Sequence, residues 1–162
     1  MFKRFLFVCA ATALLAACAA PPGGGAAPAS SSGTIVMEEF RVTSEPGIQV
    51  YVRNKRPKGM TQFSADKTVI YVHGATSPSE TAFDLPLDGM SWMDYIARQG
   101  CDVYLLDVRG YGGSTRPAQM ERHAAENAPF AGTVEAMRDV DAVVEFVKKR
   151  RGIEKVNLLA WS

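Results

Sequence analysis

Alternation between strand-like and helix-like segments constrains the fold of this chain more than any other feature. Runs of β-branched, aromatic and aliphatic residues occupy positions 68–72, 103–106 and 155–160. Such runs are typical of strands that are covered on both faces. Between the last two runs, apolar residues recur every three or four positions over 133–151, which predicts an amphipathic helix that Gly152 ends.

Two shorter patterns complete the predicted architecture. Alternating residues on either side of Glu45-Pro46-Gly47 predict an antiparallel hairpin. Ser91 followed three residues later by Asp94 predicts a capped helix start, and Gly100 is a suitable end for that helix. The order strand, helix, strand, helix, strand predicts an α/β fold with a mostly parallel sheet flanked by helices.

Composition limits the classes of protein to which the chain can belong. It has 162 residues, 47% of them hydrophobic, and a formal net charge of +1. A chain of this length can form one domain, and its hydrophobic fraction is too high for a disordered chain. Its net charge shows no excess of basic residues that could bind nucleic acid. Three cysteines are too few for a disulfide framework, and no metal-ligand cluster or cofactor motif is evident. We therefore expect neither a metal nor a cofactor.

The first residues have the layout of a targeting segment. Lys3 and Arg4 precede a short apolar run, which is typical of a secretory signal. The sequence around Cys18, Leu-Ala-Ala-Cys, resembles the bacterial lipobox, in which the Cys is lipidated after cleavage. We expect residues 1–18 to be a lipoprotein signal peptide, 19–34 a flexible tether rich in Ala, Pro, Gly and Ser, and 35–162 the folded part of the chain. The alternative is an ordinary secretory signal cleaved after an Ala-x-Ala site.

Lipidation at Cys18 would hold the domain at a membrane of the bacterial cell envelope. Ala19 follows the Cys, and the absence of Asp at this position favours the outer membrane, with the domain facing the periplasm. Under the alternative signal, the protein would be periplasmic or secreted.

Three segments that are suited to chemistry each follow a predicted strand. They are His73-Gly74-Ala75, the glycine-rich stretch 107–114, and Ala160-Trp161-Ser162. In parallel α/β sheets, ligands bind at the carboxyl ends of the strands. The glycine-rich stretch lacks the third glycine of a dinucleotide-binding fingerprint, and the chain has no Walker-type Gly-Lys-Ser/Thr.

Together, in this order, the three segments resemble the α/β-hydrolase family over positions 39–162. The resemblance implies that residues 35–162 are the N-terminal part of an α/β-hydrolase domain. The resemblance implies that Gly74 and Ala75 belong to the oxyanion hole and that His73 organises their loop. It implies a structural loop containing Asp107, Arg109, Gly110 and Gly112. It also implies that Ser162 is the nucleophile of a Gly-x-Ser-x-Gly elbow, with Ala160 in place of the first glycine.

The resemblance further implies a triad acid and a histidine that follow the nucleophile in the chain. The two histidines, His73 and His123, both precede Ser162. We therefore expect a fold truncated after its third parallel strand, with that strand left at a sheet edge, and we expect residues 1–162 alone to be inactive. His123 is interpreted as a solvated loop residue, and Cys101 as a small packed residue.

The implied activity of the full-length parent is that of a serine hydrolase acting on a small acyl substrate. It would hydrolyse carboxylic esters through an acyl-enzyme on Ser162. Thioesterase, lactonase and peptidase activities of the same fold stay open. A different class also stays open, namely a non-catalytic envelope lipoprotein that uses the fold for binding or interaction.

Overall fold

The computed structural model describes residues 33–161. In chain order its strands and helices are β1 (Ile35–Glu45), β2 (Ile48–Pro57), β3 (Thr68–Val72), α1 (Ser79–Phe83), α2 (Trp92–Arg98), β4 (Asp102–Asp107), α3 (Thr133–Arg151) and β5 (Asn157–Ala160). Short 3-10 helices cover Ala65–Lys67, Ala118–Glu121 and Ala124–Glu126. The predicted signal peptide, the lipidation site Cys18 and nearly all of the predicted tether lie outside the described residues. Between residues 33 and 161, no helix is long and apolar enough to cross a bilayer.

The five strands form one sheet in the order β1-β2-β4-β3-β5. The predicted hairpin is confirmed, because β1 and β2 pair antiparallel around the turn that contains Gly47. β2 also pairs antiparallel with β4, whereas β3 pairs parallel with both β4 and β5. The three strands predicted to be parallel are therefore parallel, and the hairpin extends them into a mixed sheet. The predicted α/β class is confirmed.

Both predicted helices are present, and their ends are formed as the sequence indicates. α2 begins with a capping box in which the Ser91 hydroxyl accepts from the Asp94 N–H, while the Asp94 carboxylate accepts from the Ser91 N–H. Gly100, just beyond α2, has a φ of +83°. α3 ends at Gly152, which has a left-handed φ of +65° and donates its N–H to the Lys148 carbonyl. Glycine adopts this conformation with no steric cost.

Alternate side chains of the central strand β4 point into two separate hydrophobic clusters, as the period of a strand requires. Tyr104 and Leu106 pack with Ile70, Val143 and Val147 on the α3 side of the sheet. On the opposite side, Val103 and Leu105 pack with Tyr71, Phe83, Met93 and Ala97. All of these side chains are almost completely excluded from solvent. The sheet is therefore covered on both faces, with β4 and β3 held in its interior.

Strand β5 differs from its prediction in burial and in length. It begins at Asn157 rather than Lys155, and Leu158 is 53% exposed. The predicted burial of this strand is wrong for the described residues, whereas its predicted position at a sheet edge, paired only with β3, is confirmed. Helix α1 was not predicted, since its five residues are too few to show a helical period.

Candidate active site

The three segments suited to chemistry lie side by side because their strands are neighbours in the sheet. Val72, the last residue of β3, aligns with Leu106 of β4 on one side and with Ala160 of β5 on the other. The Trp161 N–H donates to the Val72 carbonyl at 3.0 Å, which extends the β3–β5 pairing by one residue. The predicted nucleophile, Ser162, follows Trp161 in the chain and lies outside the described residues.

His73 is buried and connects the loops that follow β3 and β4. Its Nε2 accepts from the Val108 N–H at 3.0 Å, and its Nδ1 lies 2.7 Å from the Gly74 carbonyl oxygen. Because a backbone N–H can only donate and a carbonyl can only accept, we assign the proton to Nδ1, in a neutral imidazole. Both ring nitrogens are therefore engaged within the protein, and His73 is not free to serve as a general base.

Tyr111 supports the segment after His73, which we call the His73 loop (residues 73–77). Its ring centroid is 4.6 Å from that of His73, and its hydroxyl donates to the Ala75 carbonyl. No hydrogen bond within residues 33–161 engages the Ala75 N–H. The carbonyls of Gly74 and Ala75 are thus held by protein donors, while the Ala75 amide is available to an incoming group.

The loop after β4, which we call the Asp107 loop (residues 107–114), is organised by the buried carboxylate of Asp107. That carboxylate accepts from the Ser79 N–H at 2.8 Å and from the Gly113 N–H at 2.9 Å. Gly112 lies against it with a φ of +43°, and a Cβ atom added there would be 2.1 Å from Oδ2. Gly110 is constrained in the same way, since its φ is +87° and a Cβ would be 2.8 Å from the ring of Phe130.

Arg109 fixes the Asp107 loop to α3 and to the β1–β2 hairpin. Its guanidinium pairs with Asp139 of α3 at 2.7 Å and with Glu45 at 2.5 Å, and its backbone N–H donates to Asp139 at 2.9 Å. These hydrogen bonds raise the pKa of Arg109, and the side-chain hydrogen bond to Asp139 contributes most. Burial acts to raise the pKa of Asp139, but the hydrogen bonds from Arg109 outweigh burial and lower it. Both groups are therefore charged at neutral pH.

The sequence interpretation did not include Asp139 or a role for Tyr111. Asp139 lies four and eight residues before the buried Val143 and Val147, so it occupies the buried stripe of α3. A carboxylate on an apolar helix stripe is a signal that sequence reasoning could have used, because such a group needs a partner. Tyr111 gave no comparable signal, since its partner Ala75 lies 36 positions away in the chain.

A comparison with protein-family models now identifies the family. The model for the alpha/beta hydrolase fold matches residues 67–162, which is more than half of the chain. The chain belongs to the α/β hydrolase family. No curated protein sequence matches it significantly.

Solved structures share the α/β hydrolase fold with this chain at low sequence identity. A bacterial brefeldin A esterase superimposes with a TM-score of 0.51 at 18% identity, over 82% of this chain and 33% of that chain. A hypothetical protein from Pseudomonas aeruginosa gives a TM-score of 0.53 at 14% identity, over 80% and 36%. A Klebsiella pneumoniae protein assigned as a dienelactone hydrolase gives a TM-score of 0.52 at 18% identity, over 79% of this chain and 49% of that chain. The chain thus spans between a third and a half of the length of these structures.

Two cavities lie on either side of the His73 loop in this hydrolase fold. One, of about 380 Å³, lies between that loop, α1 and the start of α2. The other, of about 340 Å³, lies between the His73 loop, Tyr111 and the start of α3. Gly74 and Trp161 line both cavities. The carboxyl-terminal end of β5 is therefore flanked by space on both sides.

The remaining candidate groups lie away from this edge or form no cluster. His123 is exposed and caps the 3-10 helix at Ala124–Glu126, where its Nδ1 accepts from the Ala125 N–H at 3.3 Å. Cys101 is half-buried and precedes β4, and burial raises the pKa of its thiol. Within the described part of the chain, no group of three or more His, Cys, Asp or Glu residues could hold a metal ion.

Proposed function

We propose that the full-length protein is a serine hydrolase that cleaves carboxylic esters through an acyl-enzyme on Ser162. The observation that carries the proposal is the His73 loop. Its carbonyls are held by the imidazole and by Tyr111, the Ala75 N–H is unengaged within residues 33–161, and Ala75 lines a cavity together with Trp161, which follows β5. An unpaired backbone amide at the edge of a sheet can stabilise the negative oxygen of a tetrahedral intermediate.

In the proposed reaction, the Ser162 hydroxyl attacks the ester carbonyl carbon and its proton passes to a general base. The carbonyl oxygen becomes an oxyanion that accepts from the Ala75 N–H. The intermediate then expels the alcohol, which takes the proton back from the base, and a water molecule hydrolyses the acyl-enzyme by the same two steps. His73 has both nitrogens engaged and His123 is exposed in a loop. We therefore assign the base to a histidine beyond residue 162 in the full-length protein.

The proposed setting of this activity is the bacterial cell envelope. It is supported by the sequence of residues 1–18, where Cys18 follows a short apolar run and resembles a lipidation site. A lipid at Cys18 would tether the domain to the outer membrane, facing the periplasm.

The proposal is tested on the protein extended through its natural reading frame, with p-nitrophenyl acetate as substrate and a fluorophosphonate probe. Ser162→Ala is expected to abolish both turnover and labelling, because Ser162 supplies the nucleophile in the proposed reaction. The matched control is Ser64→Ala, an exposed serine that precedes β3 and therefore lies at the opposite end of the sheet. It should leave both readouts unchanged.

The same experiment separates the proposal from the alternatives. Labelling that persists in Ser162→Ala would assign the nucleophile to another residue. A full-length protein that neither turns over esters nor reacts with the probe would be a binding or interaction protein with this fold. The 162-residue chain, assayed in parallel, is expected to show no turnover.

A further inference from the structure

The cavity of about 380 Å³ beside the His73 loop has a wall built mainly of aromatic rings. Phe83 lines it and stacks on Tyr71, with centroids 4.5 Å apart and planes inclined by 19°. The ring centroid of Trp92 lies 5.2 Å from that of Tyr71 and 5.8 Å from that of Phe83. These separations are those of favourable aromatic pairs, so the three rings form a fixed cluster.

Two tryptophans face this cavity from different elements. Trp92 begins α2 and is 45% exposed, and Trp161 follows β5 and is 64% exposed. They are the only two tryptophans among the 162 residues. Large apolar side chains are usually buried, and here two of the largest leave their faces open to the same space.

No charged side chain lines this cavity within the described part of the chain. Apart from the two tryptophans with their indole N–H groups, the lining residues that can offer polar atoms are Gly74, Thr76, Ser77 and Thr81. The Thr81 hydroxyl donates to the Pro78 carbonyl at 2.8 Å and so retains only acceptor capacity. Because no cationic side chain from the described residues lines the cavity, a carboxylate group would lose hydration here without gaining an ion-pair partner, which disfavours anionic ligands. The volume of about 380 Å³ lies at the lower end of the range for ligand pockets and is ample for an aromatic ring with its ester linkage.

We propose that this cavity binds an uncharged aromatic ring of the ester, next to the reacting carbonyl. This assignment to the substrate rests on the proposed function. A ring in the cavity would lie beside Gly74 and beside Trp161, the residue that precedes the proposed nucleophile Ser162. The ring would stack against the two indoles. The hydroxyls at the other side of the cavity would form hydrogen bonds with a neutral polar atom of the substrate. The inferred substrate class is esters that carry a benzyl or phenyl group.

Binding is tested without catalysis by fluorine NMR on the full-length protein labelled with 5-fluorotryptophan. Trp92→Phe and Trp161→Phe identify the two resonances. Benzyl alcohol is expected to shift both at low millimolar concentration, whereas phenylacetate, which carries a charge, should bind at least tenfold more weakly. Cyclohexylmethanol, a saturated ligand of similar size, should bind about two- to twelvefold more weakly because it lacks an aromatic face. Unmoved resonances, or equal binding of phenylacetate, would overturn the proposal.

A substitution that fills the cavity tests its role in substrate choice. Ala82 is an exposed residue of α1 that lines the cavity, and Ala82→Leu should lower kcat/KM for benzyl acetate about tenfold while changing that for ethyl acetate less than twofold. Ala125→Leu makes the same change at an exposed alanine of a 3-10 helix and should alter neither.

The failures of the two proposals are distinguishable. If hydrolysis depends on Ser162 but Ala82→Leu leaves the ratio of the two esters unchanged, the cavity assignment fails and the serine hydrolase stands. If benzyl alcohol shifts both resonances but no ester is hydrolysed, the aromatic site stands as a ligand site and the proposed function fails.

Discussion

The His73 loop and the Asp107 loop lie at the same edge of the sheet, yet their polar groups are arranged in opposite ways. In the Asp107 loop, Asp107 and Arg109 are buried and bonded to backbone amides or to carboxylates from other elements. In the His73 loop, residues 75–77 are exposed, and the Ala75 N–H is left unengaged. Changes in the Asp107 loop should therefore reduce stability, whereas changes at the exposed residues 75–77 of the His73 loop should reduce activity and leave stability nearly intact.

The largest expected effect is on stability, from Asp139→Ala. This substitution leaves the buried Arg109 guanidinium with Glu45 as its remaining carboxylate. Breaking a buried ion pair costs about 3–5 kcal/mol, and the remaining contact to Glu45 favours the lower end of that range. The free energy of unfolding of the full-length protein in urea is the measurement. Asp141→Ala, an exposed aspartate on the same helix, should change it by less than about 0.5 kcal/mol.

The pH dependence of stability gives a second reading of the same pair. In the folded protein, the pKa of the Asp139 carboxyl is lowered below its ordinary value of 3.8. The stabilising contribution of the pair between Asp139 and Arg109 is therefore fully present above pH 3.8. The contribution is lost as the pH falls from 3.8 through the lowered folded pKa. Asp139→Ala should therefore lose less stability than the wild type over this acidic range. Equal losses in both proteins would mean that the pair does not stabilise the fold.

The next effect is on catalysis, from Ala75→Pro, which removes the unengaged N–H and retains a side chain at that position. Losing one oxyanion donor lowers kcat about 100- to 1000-fold. Because this amide has no partner within residues 33–161, the unfolding free energy should change by less than about 1 kcal/mol. Ala75→Gly keeps the N–H and should retain most of the activity. If Ala75→Pro were as active as wild type, the His73 loop would not bind the oxyanion.

Features formed by residues close together in the chain were predicted correctly from the sequence. The α2 capping box, the α3 helix and the hairpin all depend on residues within a few positions of one another, and all three are present. The expectation that the three segments meet at the carboxyl ends of neighbouring strands depends on topology alone, and the alignment of Val72 with Leu106 and Ala160 agrees with it.

Features that depend on distant contacts were not predictable from local pattern. Asp139 meets Arg109 across 30 positions of the chain. The Tyr111 hydroxyl reaches Ala75 across 36. Spacing alone specifies none of these partners.

The smallest expected effect sharpens the comparison, because Tyr111 belongs to one loop and acts on the other. Tyr111→Phe removes the hydroxyl that holds the Ala75 carbonyl and keeps the ring against His73. One hydrogen bond contributes about 0.5–1.5 kcal/mol, so the unfolding free energy should fall only slightly. The Ala75 amide would be less well oriented, and kcat should fall several-fold with little change in KM, since orientation matters most in the transition state. Tyr95→Phe, at an exposed tyrosine of α2, is the control and should leave both constants unchanged. A rise in KM without a fall in kcat would place Tyr111 in substrate binding rather than in positioning the amide.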